Sequence, residues 1–291
     1  MMAAGTVPAE LPQCPKWVYG GFPYGLEPLT LPAPDEPSPS GKPDLVPFEN
    51  ARELVERAGG AGGEDVEPDT VLWFRWITGH QVSFTVWRLM AWLIHDVEAG
   101  LADRRDAPAA LVRYVRGYSA MLRYSSSCPQ SVYRDLIRPT MYRQHPAFSG
   151  GWAPDYPLVR GLFRGRPPSW LDGPGRADVL AAVADYQVDH AHIAARLVPG
   201  GHSLLRDSVA AQHPRPPQPL PAVLYDNYFM TLRAPIDRGH VVAQLLRRLL
   251  ALVQDLAAHP PGGGTELLEA IAGLAREAVA GLARDQPVVL R

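Results

Sequence analysis

The chain has 291 residues, 46% of them apolar, which is enough to bury a sizeable core and excludes disorder throughout. Lys and Arg number 28 against 30 Asp and Glu, for a formal net charge of −2. That balance gives no electrostatic ground for nucleic acid or an anionic membrane as partner.

Residues 1–46 are rich in Pro and Gly and read as an extended arm without regular structure. The arm carries Trp17, Tyr19, Phe22 and Tyr24, so it is expected to pack over the domain or onto a neighbouring subunit, and a homodimer is expected. Met1–Lys16 has neither the basic nor the apolar region of a secretory signal. From Pro47 to the end the periodicity is helical, with no clear alternating strand. A first helix is expected near Phe48 to Ala58, stopped by Gly59-Gly60. A second is capped near Asp69-Thr70 and ends at Gly100. Its apolar stretch from Trp73 to Ile94 is broken by Arg75, His80, Gln81, Ser83 and Arg88, which marks a core helix and no membrane span. A third helix covers 107–124, and a fourth starts near Pro129 and is interrupted at Pro139. A Gly/Pro-rich loop at 149–175 precedes a helix over 176–198. Two more, over 236–258 and 265–283, are split by Pro260-Pro261-Gly262-Gly263-Gly264. Cys14 and Cys128 cannot build a disulfide framework, no Cys/His tract offers a zinc site, and the cytoplasm is the expected compartment.

Two of the nine histidines stand inside strongly apolar helices. His80 shares a face with Trp73, Trp76, Ile77, Phe84 and Trp87, where desolvation would keep the imidazole neutral and able to take a proton. His190 lies at helical spacing with Val183, Tyr186, Gln187, Ala194 and Leu197, while His192 projects nearly to the opposite side. The pair therefore cannot ligate one metal from a regular helix, and a metalloprotease pattern fails. A lone helical histidine is a common axial ligand of heme iron, and equally a common hydrogen-bonded core residue.

Trp76-Ile77-Thr78-Gly79-His80-Gln81, followed by Phe84 and Trp87, resembles the distal-histidine helix of tryptophan 2,3-dioxygenases. Tyr186-xxx-His190 with Arg196 six residues on resembles that family's proximal helix, and the two histidines come in the family's order. Pro129-Gln130-Ser131-Val132-Tyr133-Arg134 resembles its Gln-Ser…aromatic-Arg segment, whose arginine clamps the substrate carboxylate. The arm from Cys14 to Gly25 and the segment Tyr225-Asp226-Asn227-Tyr228-Phe229 resemble the bacterial heme-dependent L-tyrosine 3-hydroxylases, peroxide-using members of the heme-dependent aromatic oxygenase superfamily from antibiotic biosynthesis.

The resemblance implies an all-α, single helical domain of the tryptophan 2,3-dioxygenase-like type over 47–291. It implies hydroxylation of L-tyrosine to L-DOPA with hydrogen peroxide. His190 would be the axial ligand of heme iron with Tyr186 beside the cofactor, and His80 the distal acid-base. Arg134, or Arg138 one turn on, would hold the substrate carboxylate, with Ser131 as a further donor and Trp76 and Phe84 lining the pocket. The related methyltyrosine hydroxylases tether heme through a cysteine after the proximal histidine. No cysteine follows Cys128 here, which implies non-covalent heme b. Alternatives are a tryptophan- or indole-directed heme dioxygenase, a non-enzymatic heme protein, and a helical protein without cofactor. His95, His145, His202, His213, His240 and His259 read as surface or capping residues.

Overall fold

The computed structural model describes residues 24–36, 66–214, 216–262 and 264–284. The helix expected near Phe48 to Ala58, and the arm aromatics Trp17, Tyr19 and Phe22, lie outside the described residues.

Helices dominate. The first described helix, α1 (Pro68–Glu98), is apolar on all sides and accordingly buried on all sides. Its N-cap is Glu67, followed by Pro68 in the first turn, so the start is set by proline and not by an Asp69 or Thr70 cap. Helix α2 (Ala107–Ser125) is the centre on which α1, α6 (Gly173–Leu197) and α10 (Gly264–Arg284) pack. Contacts between α1 and α2 run Gly79 to Ser125 and Trp87 to Tyr118, so these two are antiparallel. Between α2 and α6 they run Tyr118 to Tyr186 and Arg123 to Asp189, so these two are parallel. Helix α9 (Arg238–Ala258) lies antiparallel to α1, joined by Asp96–Arg238, Gln81–Arg248 and Arg75–Asp255 contacts.

Between these long helices are shorter ones. The segment after Cys128 forms α3 (Gln130–Val132), a π-turn (Tyr133–Ile137) and α4 (Arg138–Gln144). The expected interruption at Pro139 is therefore a widening just before the proline, with the Arg138 N–H reaching back to the Tyr133 carbonyl. The expected loop at 149–175 contains a 3₁₀ turn (Gly150–Trp152) and helix α5 (Tyr156–Phe163). Helices α7 (Leu204–Ala210) and α8 (Leu220–Tyr228) complete the set. Their shortness, and Pro221 in the first turn of α8, hid them from a periodicity reading.

The arm is more ordered than its composition implied. Within residues 24–36, β1 (Leu29–Leu31) pairs in parallel with β2 (Thr231–Arg233), Leu29 facing Thr231. The free edge of β1 is covered by Gln244 of α9. Its amide accepts from Thr30 N at 2.7 Å and donates to Thr30 O at 2.9 Å. Leu29 and Leu31 are fully buried, so this part of the arm does pack over the helices.

Arg75, Gln81 and Arg88 project from α1 into the interior, and each is met by a polar partner. Asp255 of α9 accepts from Arg75 Nε at 2.7 Å, from Tyr124 at 2.8 Å and from Tyr24 at 3.0 Å. Tyr24 also meets His259 Nδ1 at 2.5 Å, so this histidine closes α9 and ties the arm down as well. Asp155 accepts from both Arg88 and Arg233, at 2.7 and 2.8 Å. With Asp255 at 0% exposure, Asp255→Ala would leave the Arg75 guanidinium buried and uncompensated. The expected loss is about 3–5 kcal/mol, read as a lower urea midpoint at unchanged slope.

Candidate functional site

His80 stands in the middle of α1, where the neighbouring Gly79 lets α1 and α2 touch. A Cβ at Gly79 would come within 2.9 Å of Ser125 Cβ. The His80 Nδ1 lies 2.6 Å from the Trp76 carbonyl oxygen. A carbonyl only accepts, so Nδ1 carries the proton and donates it, which leaves Nε2 as the basic nitrogen. The ring is enclosed by Trp76 (centroids 4.3 Å), by Phe229 stacked at 4.6 Å and 19°, and by Phe84 at 6.2 Å. Burial holds the His80 pKa down to about 4 against the opposing bond to Trp76. The imidazole is therefore neutral near pH 7 and poised to accept a proton at Nε2.

The enclosure is itself held in place. Gln81, fully buried, donates to the Phe229 carbonyl at 2.9 Å and to the Glu27 carbonyl at 3.1 Å, while its oxygen accepts from Arg248 Nε at 3.0 Å. Beside it, the Trp76 indole N–H donates to the Tyr228 hydroxyl at 3.2 Å, and that hydroxyl meets Thr140 at 2.8 Å. Tyr225, Tyr228 and Phe229 thus present three aromatic side chains to the His80 cluster from the end of α8. Tyr225 and Phe229 both pack on Phe84.

His190 is placed by α6 at the same level of the bundle. Arg196, two turns on, donates to the Cys128 carbonyl at 2.8 Å and to the Ser126 carbonyl, holding the free carbonyls at the end of α2. Asp189 lies 3.8 Å from Arg123 in the last turn of α2. His80 and His190 are therefore both arranged about the C-terminal end of α2, one from α1 and one from α6. His190 is itself exposed, contrary to the expectation of a histidine inside a strongly apolar helix: it sits at the boundary between a buried stripe (Val183, Tyr186, Leu197) and an open side bearing Ala191 and Ala194. Desolvation lowers its pKa too, so it presents a neutral imidazole beside small apolar residues. A neutral imidazole is a donor type that heme iron accepts. Tyr186 is buried one turn before it, with ring centroids 6.0 Å apart, and stacks on Tyr118 at 5.1 Å. Among the described residues no group of three or more His, Cys, Asp or Glu side chains is gathered to hold a bare metal ion.

Of the other expected site residues, Trp76 and Phe84 join His80, whereas Ser131, Arg134 and Arg138 do not touch its ring. Ser131 is exposed in α3. Arg134 is 67% exposed and closed on Asp135, with two contacts of 2.6 Å. Arg138 is more buried and pairs with Asp207 of α7 at 2.7 Å. Both arginines line a cavity of about 570 Å³ between α4 and α7. From the π-turn it is Tyr133, not Arg134, that reaches Trp76, with centroids 6.0 Å apart. Sequence reasoning missed Tyr133 as a wall residue, and it found Tyr228 and Phe229 only as part of a resembling segment.

A family model for the SfmD 3-methyl-L-tyrosine peroxygenase matches residues 27–190, more than half of the chain. The chain belongs to that family. The match begins just before β1 and ends on His190 itself, so it spans both histidines and the α1, α2 and α6 frame between them. A search among curated proteins gives no match. Membership places the chain among peroxide-using oxidoreductases, as expected. The family is named for a ring-methylated tyrosine, where the sequence resemblance pointed to L-tyrosine. No helix among the described residues is long and apolar enough to cross a membrane.

Because Phe229 shields one whole face of the His80 ring, Phe229→Ala should admit water and raise the His80 pKa from about 4 toward the ordinary 6.5. Histidine NMR titration of the two proteins would show it; superimposable curves would mean that the shielding comes from elsewhere.

Proposed function

We propose that the chain is a histidine-ligated heme peroxygenase that hydroxylates the ring of L-tyrosine beside the phenol, giving L-DOPA, with hydrogen peroxide as co-substrate. The observation that carries this reading is the neutral, ring-enclosed His80 with a basic Nε2, in a chain whose family match ends at a second neutral helical histidine. His190 would hold the heme iron, and the absence of any cysteine after Cys128 supports heme b held without a covalent tether. The heme supplies the peroxide activation that no side chain can provide.

The chain's own residues handle protons and position. His80 Nε2 takes a proton from hydrogen peroxide and returns it to the oxygen that leaves as water, while the other peroxide oxygen goes to the ring. The bond from Nδ1 to the Trp76 carbonyl keeps the correct tautomer, and Phe229 with Trp76 keeps the ring plane. Trp76 and Phe84 line the aromatic side of the pocket, and Tyr186 packs beside the cofactor ligand. For the substrate carboxylate we assign Arg138 ahead of Arg134, because Arg138 is the less exposed and its charge reaches Tyr133. Ser131 is a further donor on the same segment. The family's printed name favours a second substrate reading, 3-methyl-L-tyrosine, which a side-by-side turnover assay of the two amino acids resolves.

Substitution of the two histidines tests the reading. His190→Ala should lose heme, seen as loss of the Soret band. His80→Ala should keep it and lose about 10²- to 10⁴-fold in turnover. Full activity with heme retained in both would end the assignment.

A further inference from the structure

The cavity between α4 and α7 is about 570 Å³, ample for one amino acid, and beside Arg138, to which the proposed function gives the substrate carboxylate, its wall carries further charges at Asp207 and Arg143. Arg138 spends one terminal nitrogen on Asp207, and Arg143 stands on the same wall. Asp207 Oδ2 takes Arg138 and its Oδ1 lies 3.3 Å from His202 Nδ1, but the side chain is 42% exposed and each oxygen has a further lone pair to offer a donor. Tyr142 is half-exposed at the rim, and Pro139, Pro146 and Leu204 supply apolar surface. A free amino acid carries an ammonium and a carboxylate on adjacent atoms, the mirror of an Arg–Asp pair, and the flat ring and apolar walls suit an aromatic side chain.

We infer that this cavity is a docking vestibule for a zwitterionic aromatic amino acid, with Asp207 taking the ammonium and Arg138 and Arg143 the carboxylate. The inference rests on the proposed function for the identity of the amino acid. Helix α4 connects the vestibule to the chemistry. One side of it lines the cavity, and from the other Thr140 meets Tyr228, whose hydroxyl holds the indole of Trp76 against His80. The Arg143 charge is felt at the Tyr228 phenol, which places the two sides within electrostatic reach.

The test is calorimetric binding of three ligands to the full chain with its heme. They are L-tyrosine, tyramine without the carboxylate, and 3-(4-hydroxyphenyl)propanoate without the ammonium. Each truncated ligand should bind about five- to tenfold more weakly, the range for charged hydrogen bonds that are partly exposed. Asp207→Asn should erase the preference for the ammonium alone, and Arg143→Gln should reduce the preference for the carboxylate alone. Asp207→Glu should restore the wild-type pattern, which separates recognition from a folding defect. Unchanged preferences in both Asp207→Asn and Arg143→Gln, or displacement of tyrosine by inorganic phosphate, would overturn the inference. If the preferences shift as expected but peroxide yields no hydroxylated product, the vestibule stands and the peroxygenase reading for tyrosine falls.

Discussion

A buried guanidinium or amide must find partners inside the protein, and α1 carries three of them inward. Arg75, Gln81 and Arg88 occupy a helix that is otherwise apolar on every face, so each would be costly alone. Their partners come from elements far apart in the chain: Asp255 and Arg248 on α9, Asp155 before α5, and backbone carbonyls of the arm. Satisfying these groups fixes where the arm runs, how α9 crosses α1, and where the end of α8 must lie.

The reactive geometry is a by-product of that satisfaction. Gln81 follows His80 in sequence, and its amide grips the Phe229 carbonyl; the ring that this carbonyl carries lies flat on the imidazole. A structural hydrogen bond and a functional stack thus share one peptide. The same logic holds across the bundle. Arg196 closes the end of α2 with its guanidinium, and in doing so sets the height of His190 relative to His80.

Much of this was legible in the sequence, for identifiable reasons. The long helices α1, α2, α6, α9 and α10 carry apolar periodicity over many turns, and the motif residues Trp76, His80 and Phe84 lie on one of them. The strand pair was not legible. Three residues are too few to show alternation, and the partner lies two hundred positions away. Helices α5, α7 and α8 are short, and α5 and α8 also carry a proline in the first turn. The choice between Tyr133 and Arg134 depended on a π-turn that re-aims the side chains, which a helical wheel of regular pitch cannot anticipate. Gln81 could be seen as a motif letter, but its task was invisible because both of its acceptors are tertiary.

The parallel pairing of Leu29–Leu31 with Thr231–Arg233 has a consequence for biosynthesis. As the polypeptide leaves the ribosome, its early strand has no mate until residues 231–233 have been made, and Arg75 of α1 has no carboxylate partner until Asp255 follows. Contacts so distant along the chain carry a large loop-closure cost and are slow to form. The imidazole at position 80, flanked by Trp76 and Phe84 of its own helix, therefore gains the stacked ring of Phe229 only at the close of folding.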